Sequence, residues 1–146
     1  MSTTMKTQTL INDRVHQYYW EDDLNCATTV LRILAEIHKI DLCPETVYSA
    51  IGMHGAGGFR AQCGLVEGTL MFLGIIGKER GRQDEEIIRY CFDFANEFQR
   101  NFGSLACRDL RPQGFKPDNP PHLCEELTKK AVKFIVDYLE NKKLKG

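Results

Sequence analysis

The chain is organised around residues 63–76, which read Cys63-Gly-Leu-Val-Glu-Gly68-Thr-Leu-Met-Phe-Leu-Gly74-Ile-Ile76. The helix that this segment predicts carries apolar side chains on nearly every side, which is typical of a helix buried at the centre of a protein. A glycine in a helix interior costs about 1 kcal/mol relative to alanine. The accumulation of Gly64, Gly68 and Gly74 therefore predicts that neighbouring helices cross this one at very close range.

Outward from this segment the apolar periodicity stays helical. The pattern predicts a first helix ending near Trp20, a second one capped by Asn25, a short one from Pro44 to Ile51, a long one from Asp84 to Gly103, and a final one from Leu123 to Leu139. No strand-like alternation, internal repeat or low-complexity segment is found. We expect an all-α fold, with residues 1–146 forming a single-domain bundle of about five to six helices around residues 63–76.

Charge and hydropathy argue against a nucleic-acid partner and against a membrane span. The net charge of the 146 residues is −1, and the basic residues are dispersed apart from a tail with Lys142, Lys143 and Lys145, so no nucleic-acid partner is expected. No apolar run approaches the ~18 residues of a membrane span, and the first residues lack the apolar core of a secretion signal. We expect a cytoplasmic protein whose thiols are held reduced.

Four of the six cysteines, Cys26, Cys63, Cys107 and Cys124, lie where helices are predicted to begin. The partial positive charge and free N–H groups of a helix start stabilise a thiolate, which is both the nucleophile and the metal ligand. The sequence therefore indicates redox or metal chemistry. The other two cysteines are interpreted as structural, because Cys91 lies in an apolar stripe and Cys43 directly precedes Pro44.

The spacing of the four cysteines is C-x36-C-x43-C-x16-C, with no C-x-x-C pair. This argues against a zinc ribbon, a thioredoxin-type dithiol and a ferredoxin motif, because each of these concentrates its cysteines in a short loop. It also excludes a C-x-x-C-H haem attachment site. Cysteines far apart in sequence still meet in a helical bundle, where sites are assembled from facing helices.

Two chemistries use such a cluster. In the first, thiols form and exchange disulfides, with Cys63 as the expected nucleophile because the glycine-rich segment 52–60 before it offers access and free N–H groups. In the second, all four thiolates bind an iron–sulfur cluster or a zinc ion, the zinc serving as a structural or Lewis-acid centre. A competing interpretation is a non-enzymatic helical module that binds metal or another polypeptide and has structural cysteines. Whether the chain is an oxidoreductase stays open.

Other side chains near the cysteines are weaker candidates. The histidines His54 and His122 are able to hydrogen-bond a thiolate or to act as ligands, although a surface position is the commoner outcome. The arginines Arg60 and Arg108 are placed to offset thiolate charge. Glu67, one turn after Cys63, is expected either to pair with an arginine or to belong to the site.

The residues around the four cysteines carry a resemblance. The segments are Asn25-Cys26-Ala27, Cys63-Gly-Leu-Val-Glu-Gly68 with Thr-Leu-Met-Phe-Leu-Gly74, Phe102-Gly-Ser-Leu-Ala-Cys107-Arg-Asp-Leu110 and Leu123-Cys124-Glu. Together they resemble the C_GCAxxG_C_C family of redox-active proteins over essentially the whole chain. Four cysteines define that family, and a CGAxxG motif surrounds the second. Here Leu65 replaces the alanine.

The resemblance implies a redox function for the four cysteines, but it names no reaction and no redox partner. The family is also similar to the N-terminal part of split-Soret cytochromes, where an iron–sulfur centre has been associated with the cysteine-bearing region. Separately, aromatic and aliphatic residues in excess of one core, including Tyr18, Tyr19 and Trp20, predict a homo-oligomer.

Overall fold

The computed structural model describes residues 4–110 and 124–142, and these form an all-α fold. The helices are α1 (Met5–Trp20), α2 (Cys26–Ile37), α3 (Pro44–Tyr48), α4 (Gly55–Gly58), α5 (Gly64–Glu79), α6 (Asp84–Phe102), α7 (Cys107–Leu110) and α8 (Glu125–Asn141). Five of them are long and three are single turns, which agrees with the expected bundle. Of the described helices, none has the length and apolar character needed to cross a membrane.

The helix ends follow local chemistry. The side-chain oxygen of Asn25 accepts a hydrogen bond from the Thr28 N–H at 2.8 Å and so caps α2, as its residue type predicts. Gly103 ends α6 with φ of +91°, a conformation that costs glycine little. Two predicted ends shift: α3 stops at Tyr48 instead of Ile51, and α5 continues past residue 76 to Glu79.

Helix α5 is the central element, as predicted, and it packs against α2, α6 and α8. The closest crossing is with α2, where a Cβ at Gly68 would stand 2.5 Å from the carbonyl oxygen of Ala27. The predicted close crossing is wrong at Gly74, which has no neighbouring atom within 4 Å of a Cβ position. Gly77 makes the further close contact instead, against the side chain of Ile87.

Helix α1 is fastened to the start of α8. The carboxylate of Glu125 accepts hydrogen bonds from Trp20 Nε1 at 2.7 Å and from His16 Nδ1 at 3.1 Å, and it lies 2.9 Å from Lys129 Nζ. Burial opposes ionisation of this carboxyl, but the bonds from Lys129, Trp20 and His16 outweigh it and lower the pKa of Glu125 to about 2. The residue after Cys124 is thereby held against α1.

The aromatic residues at the end of α1 point mostly inwards. Tyr18 and Tyr19 are buried within the chain, whereas Trp20 remains 55% exposed. The two tyrosines therefore supply the core and not the exposed surface on which the expectation of self-association was based.

Candidate thiol site

Each of the four predicted cysteines lies at the start of a helix. Cys26 and Cys107 are the first residues of α2 and α7, and Cys63 and Cys124 are the cap residues that precede α5 and α8. All four are present as thiols and not as disulfides. The placement that the sequence predicted from caps and periodicity is confirmed for all four.

An isolated antiparallel bridge between Gln62 and Ala106 brings Cys63 and Cys107 to one place. The Cys63 N–H donates to the Leu105 carbonyl and the Cys107 N–H donates to the Ala61 carbonyl, both at 2.8 Å. Residues that alternate along paired extended chains share a face, so the two cysteines flank the bridge as diagonal neighbours on the same side. Sequence analysis missed this bridge, because a single residue pair produces no alternating pattern.

A close contact at Gly64 brings Cys26 next to Cys63 and the bridge. A Cβ at Gly64 would overlap the Cys26 Sγ and would stand 3.0 Å from the backbone nitrogen of Ala27. Only a residue without a side chain lets the first turn of α2 rest on the first turn of α5. Gly64 thus explains physically why a glycine follows Cys63 in the Cys-Gly motif.

The thiols act on one another electrostatically. Burial raises the pKa of Cys26 far above its usual value, and the neighbouring thiolates of Cys63, Cys124 and Cys107 raise it further. Burial also raises the pKa of Cys63 to about 12. Cys107 and Cys124 act on both of these thiols, so we describe the four cysteines as one cluster. Its inner members, Cys26 and Cys63, are protonated at neutral pH.

This corrects one expectation about Cys63. The N–H groups of Leu65 and Val66 do lower the pKa of its thiol, as a helix start should, and Cys107 and Cys124 raise it. Cys63 is only 5% exposed, however, and desolvation is the largest effect. The prediction that the glycine-rich segment makes Cys63 an accessible, low-pKa nucleophile is therefore wrong.

His54 is half-buried and lies beside Cys26. Its Cα stands 3.2 Å from the position that a Gly64 Cβ would take, which places it next to Cys26. Asn25 Nδ2 lies 3.0 Å from His54 Nδ1 and donates to the Ile51 carbonyl at 2.7 Å. The histidine accepts this bond in the tautomer protonated at Nε2. Asn25 thus caps α2 and also holds the loop at residues 50–54, which lies between α3 and α4, against the cluster.

A buried hydroxyl pair between α1 and α8, which sequence analysis missed, includes Tyr19. Its hydroxyl lies 2.6 Å from the Thr128 Oγ1 of α8, and both residues are buried. Burial raises the pKa of Tyr19 well above its usual value, and the thiolates of Cys26, Cys124 and Cys63 add to the rise. In the sequence, Tyr19 is one more apolar position of α1, and no local signal marks its hydroxyl.

The remaining candidates have varied positions. Glu67 is half-buried and hydrogen-bonded to the side-chain amide of Gln62. Arg108 is exposed, Arg60 adopts φ of +75°, and His122 lies outside the described residues. Cys91 is half-buried against the core, as interpreted, and burial raises its pKa. Cys43 is exposed, so burial gives it no structural role.

A metal centre at the cysteines would require a defined set of ligands. A structural zinc site takes four ligands in tetrahedral geometry, and cysteine-bound iron–sulfur clusters likewise take four thiolates. Over residues 4–110 and 124–142, no group of three or more histidine, cysteine, aspartate or glutamate side chains is arranged to hold a metal ion.

A protein-family model matches residues 24–138, and its description is putative redox-active protein (C_GCAxxG_C_C). The match contains all four cysteines, both glycines that touch α2, and Thr128. The match begins at residue 24, so it does not include Tyr19. No curated protein and no solved structure matches the chain.

Proposed function

Since the chain belongs to the C_GCAxxG_C_C family, we propose that it transfers electrons by thiol–disulfide exchange through Cys26, Cys63, Cys107 and Cys124. The observation that supports this proposal is geometric: the Gln62–Ala106 bridge sets Cys63 and Cys107 on one face, and the Cys26 sulfur lies against Gly64 beside them. Disulfide exchange requires thiols that come within bonding reach of one another.

The proposed reaction balances as an exchange with a partner disulfide, of a protein or of a small molecule. A cluster thiolate attacks one sulfur of that disulfide, which releases one partner thiol and leaves a mixed disulfide. A second cluster thiol attacks the mixed disulfide, which releases the second partner thiol. Two electrons and two protons have then passed from the cluster to the partner, and the reverse sequence reduces the cluster again.

Exposure suggests how the four cysteines divide this work. Cys63 is buried, whereas Cys26, Cys107 and Cys124 are half-buried, and desolvation of its sulfur raises the pKa of the Cys26 thiol. An attacking thiol needs both access and thiolate character. We assign the encounter with the partner to Cys107 and Cys124, and storage of the disulfide to Cys26 and Cys63.

The test is an equilibrium titration in glutathione buffers of graded potential, with the free thiols counted and the disulfides mapped by mass spectrometry. Serine at any one of the four cysteines should abolish at least one disulfide of the wild-type protein. Cys43→Ser and Cys91→Ala are the matched controls and should leave the disulfides among the four cysteines unchanged.

Elemental analysis of protein purified without oxygen completes the test. Thiols that titrate reversibly in metal-free protein would support the proposal. Stoichiometric iron or zinc that is lost when Cys63 is replaced would overturn the proposal and favour a metal centre. Metal-free protein in which Cys26, Cys63, Cys107 and Cys124 stay unreactive would leave a binding module with structural cysteines.

A further inference from the structure

The inner thiols need a route to solvent if the proposed exchange occurs. Cys63 is only 5% exposed, and the half-buried Cys26 has its sulfur against the first turn of α5. The first turns of α2 and α5 carry core residues, Ala27 and Leu65, so moving either helix would break the core. A wall of the site that is less firmly packed is therefore the part that is able to move.

The glycine-rich segment 52–60 forms such a wall. The Cys26 Sγ and the His54 Cα both adjoin the position that a Gly64 Cβ would take, the latter at 3.2 Å, so the segment lies beside the Cys26 sulfur. Within the segment only Gly55 is buried, and none of its side chains joins the core. Segments with few buried apolar contacts open locally at a small cost in free energy.

The segment is attached at both ends. At its start, the Asn25 side-chain amide donates to the Ile51 carbonyl at 2.7 Å and lies 3.0 Å from His54 Nδ1. Directly after its end, the Ala61 carbonyl accepts the Cys107 N–H at 2.8 Å, as part of the bridge. A segment fixed at both ends moves by changing φ and ψ at a few positions in between.

The middle of the segment has an unfavourable backbone conformation. Ala56 has φ of +57° and ψ of +60°, and Gly55, Gly57 and Gly58 have φ of +68°, +67° and +87°. This run makes α4 a left-handed turn. The conformation costs glycine little, but it is unfavourable for alanine, whose Cβ approaches the following carbonyl oxygen. Because Ala56 is exposed, no packing of its side chain offsets this cost, and the strain favours release of the turn.

We infer that the glycine-rich segment is a lid over the inner thiols, and that release of its left-handed turn gives a disulfide partner access to Cys26 and Cys63. This rests on the proposed function, in which those two cysteines store the disulfide. The closed lid shields the stored pair from other thiols and oxidants. The rate at which the pair exchanges then depends on the fraction of molecules in which the lid is open.

The test is alkylation of the reduced protein by iodoacetamide at fixed pH, with each cysteine followed by mass spectrometry. Gly57→Ala places an alanine in the left-handed turn where nothing lies within 4 Å of the new Cβ, so it weakens the closed lid without a clash. We expect Cys26 and Cys63 to be alkylated about fivefold faster or more. Gly52→Ala is the matched control, because its Cβ position is equally free and its φ is not positive. It should keep the wild-type rates.

The variant Ala56→Gly tests the opposite direction. It removes the alanine from the left-handed turn, so it should stabilise the closed lid and slow alkylation of the inner thiols by a similar factor. Cys91 packs against the core and reports unfolding of the whole chain, so its rate should be the same in every variant. Equal rates in Gly57→Ala and Gly52→Ala, or a change at Cys91 as large as that at the inner thiols, would overturn the inference.

The lid and the proposed function fail in different ways. Alkylation requires no disulfide, so its rates decide the lid whether or not exchange occurs. Wild-type protein that forms no disulfide in glutathione buffers would overturn the proposed function. Where exchange does occur, Ala56→Gly should slow oxidation of the inner pair by glutathione disulfide to the same extent as it slows alkylation.

Discussion

At the residue scale, Gly64 gives the sharpest prediction about the motif. Gly64→Ala should lower the free energy of unfolding by about 1–3 kcal/mol, because the new methyl group overlaps the Cys26 Sγ in a packed contact. Gly74→Ala in the same helix is the control, since nothing lies within 4 Å of its Cβ position, and it should raise that free energy by up to about 1 kcal/mol. Urea unfolding of the reduced proteins measures both. Equal shifts in the two variants would contradict the close contact.

His38 is buried, stacks on Phe72 at a ring distance of 5.4 Å, and has no hydrogen-bond partner for Nε2 among the described residues. Burial, aided by the charge of Arg80, lowers its pKa to about 4. Between pH 6.5 and about 4 the unfolded chain binds a proton that the folded chain does not, so stability falls as the pH falls.

The expected loss over that window is up to about 3 kcal/mol. His38→Leu removes the titrating group, so it should flatten this part of the curve of unfolding free energy against pH. Chemical unfolding at pH 7.5, 6 and 5 checks it. The same slope in wild type and variant would show that other groups cause the pH dependence.

At the element scale, the start of α2 depends on both ends of the Asn25 amide. Its oxygen caps the helix and its nitrogen donates to the carbonyls of Ala50 and Ile51. Asn25→Ala should cost about 1–3 kcal/mol, because the cap and the loop bonds are lost together. Asn25→Asp keeps the capping oxygen and loses the donors, so its stability should fall between wild type and Asn25→Ala. Hydrogen exchange of residues 50–58 would then rise in both variants, and unchanged exchange would refute the loop contact.

The helices also show what periodicity predicts and what it leaves out. Helix α5 was recognisable as the buried centre because its own residues are apolar all round, and Gly103 marked the end of α6 through its backbone freedom. The sequence did not show which glycines of α5 contact a neighbouring helix. Gly74 and Gly77 both lie in α5, yet only Gly77 faces Ile87, because the contact depends on where α6 packs.

At the scale of the whole molecule, the cysteines link parts of the chain that are far apart in sequence. If the proposed exchange occurs, oxidation should raise the free energy of unfolding by about 3–4.5 kcal/mol for any pair among the four, because each pair closes a loop of 17 residues or more in the unfolded chain. Urea unfolding with dithiothreitol and with glutathione disulfide measures the difference. Cys91→Ala should retain the increment, and its absence in wild type would contradict a disulfide in the cluster.

Self-association stays a prediction, and its structural basis has changed. Tyr18 and Tyr19 are internal, while Ile88 and Phe92 lie one turn apart on α6 and are 65% and 77% exposed. A homo-oligomer should show a mass by light scattering that rises with concentration and falls in Phe92→Glu. A monomeric mass at every concentration would remove the prediction.

The sequence by itself determined the all-α class, the central position of residues 63–76 and the occurrence of a cysteine at each of four helix starts. These depend on periodicity, caps and backbone freedom, which act within a few residues of the chain. Only the tertiary structure decided that a bridge aligns Cys63 with Cys107, that Gly64 receives Cys26, that Tyr19 bonds to Thr128, and that the pKa of Cys63 rises. Desolvation and contact depend on which elements pack together, and in this protein burial outweighs the local effect of a helix start.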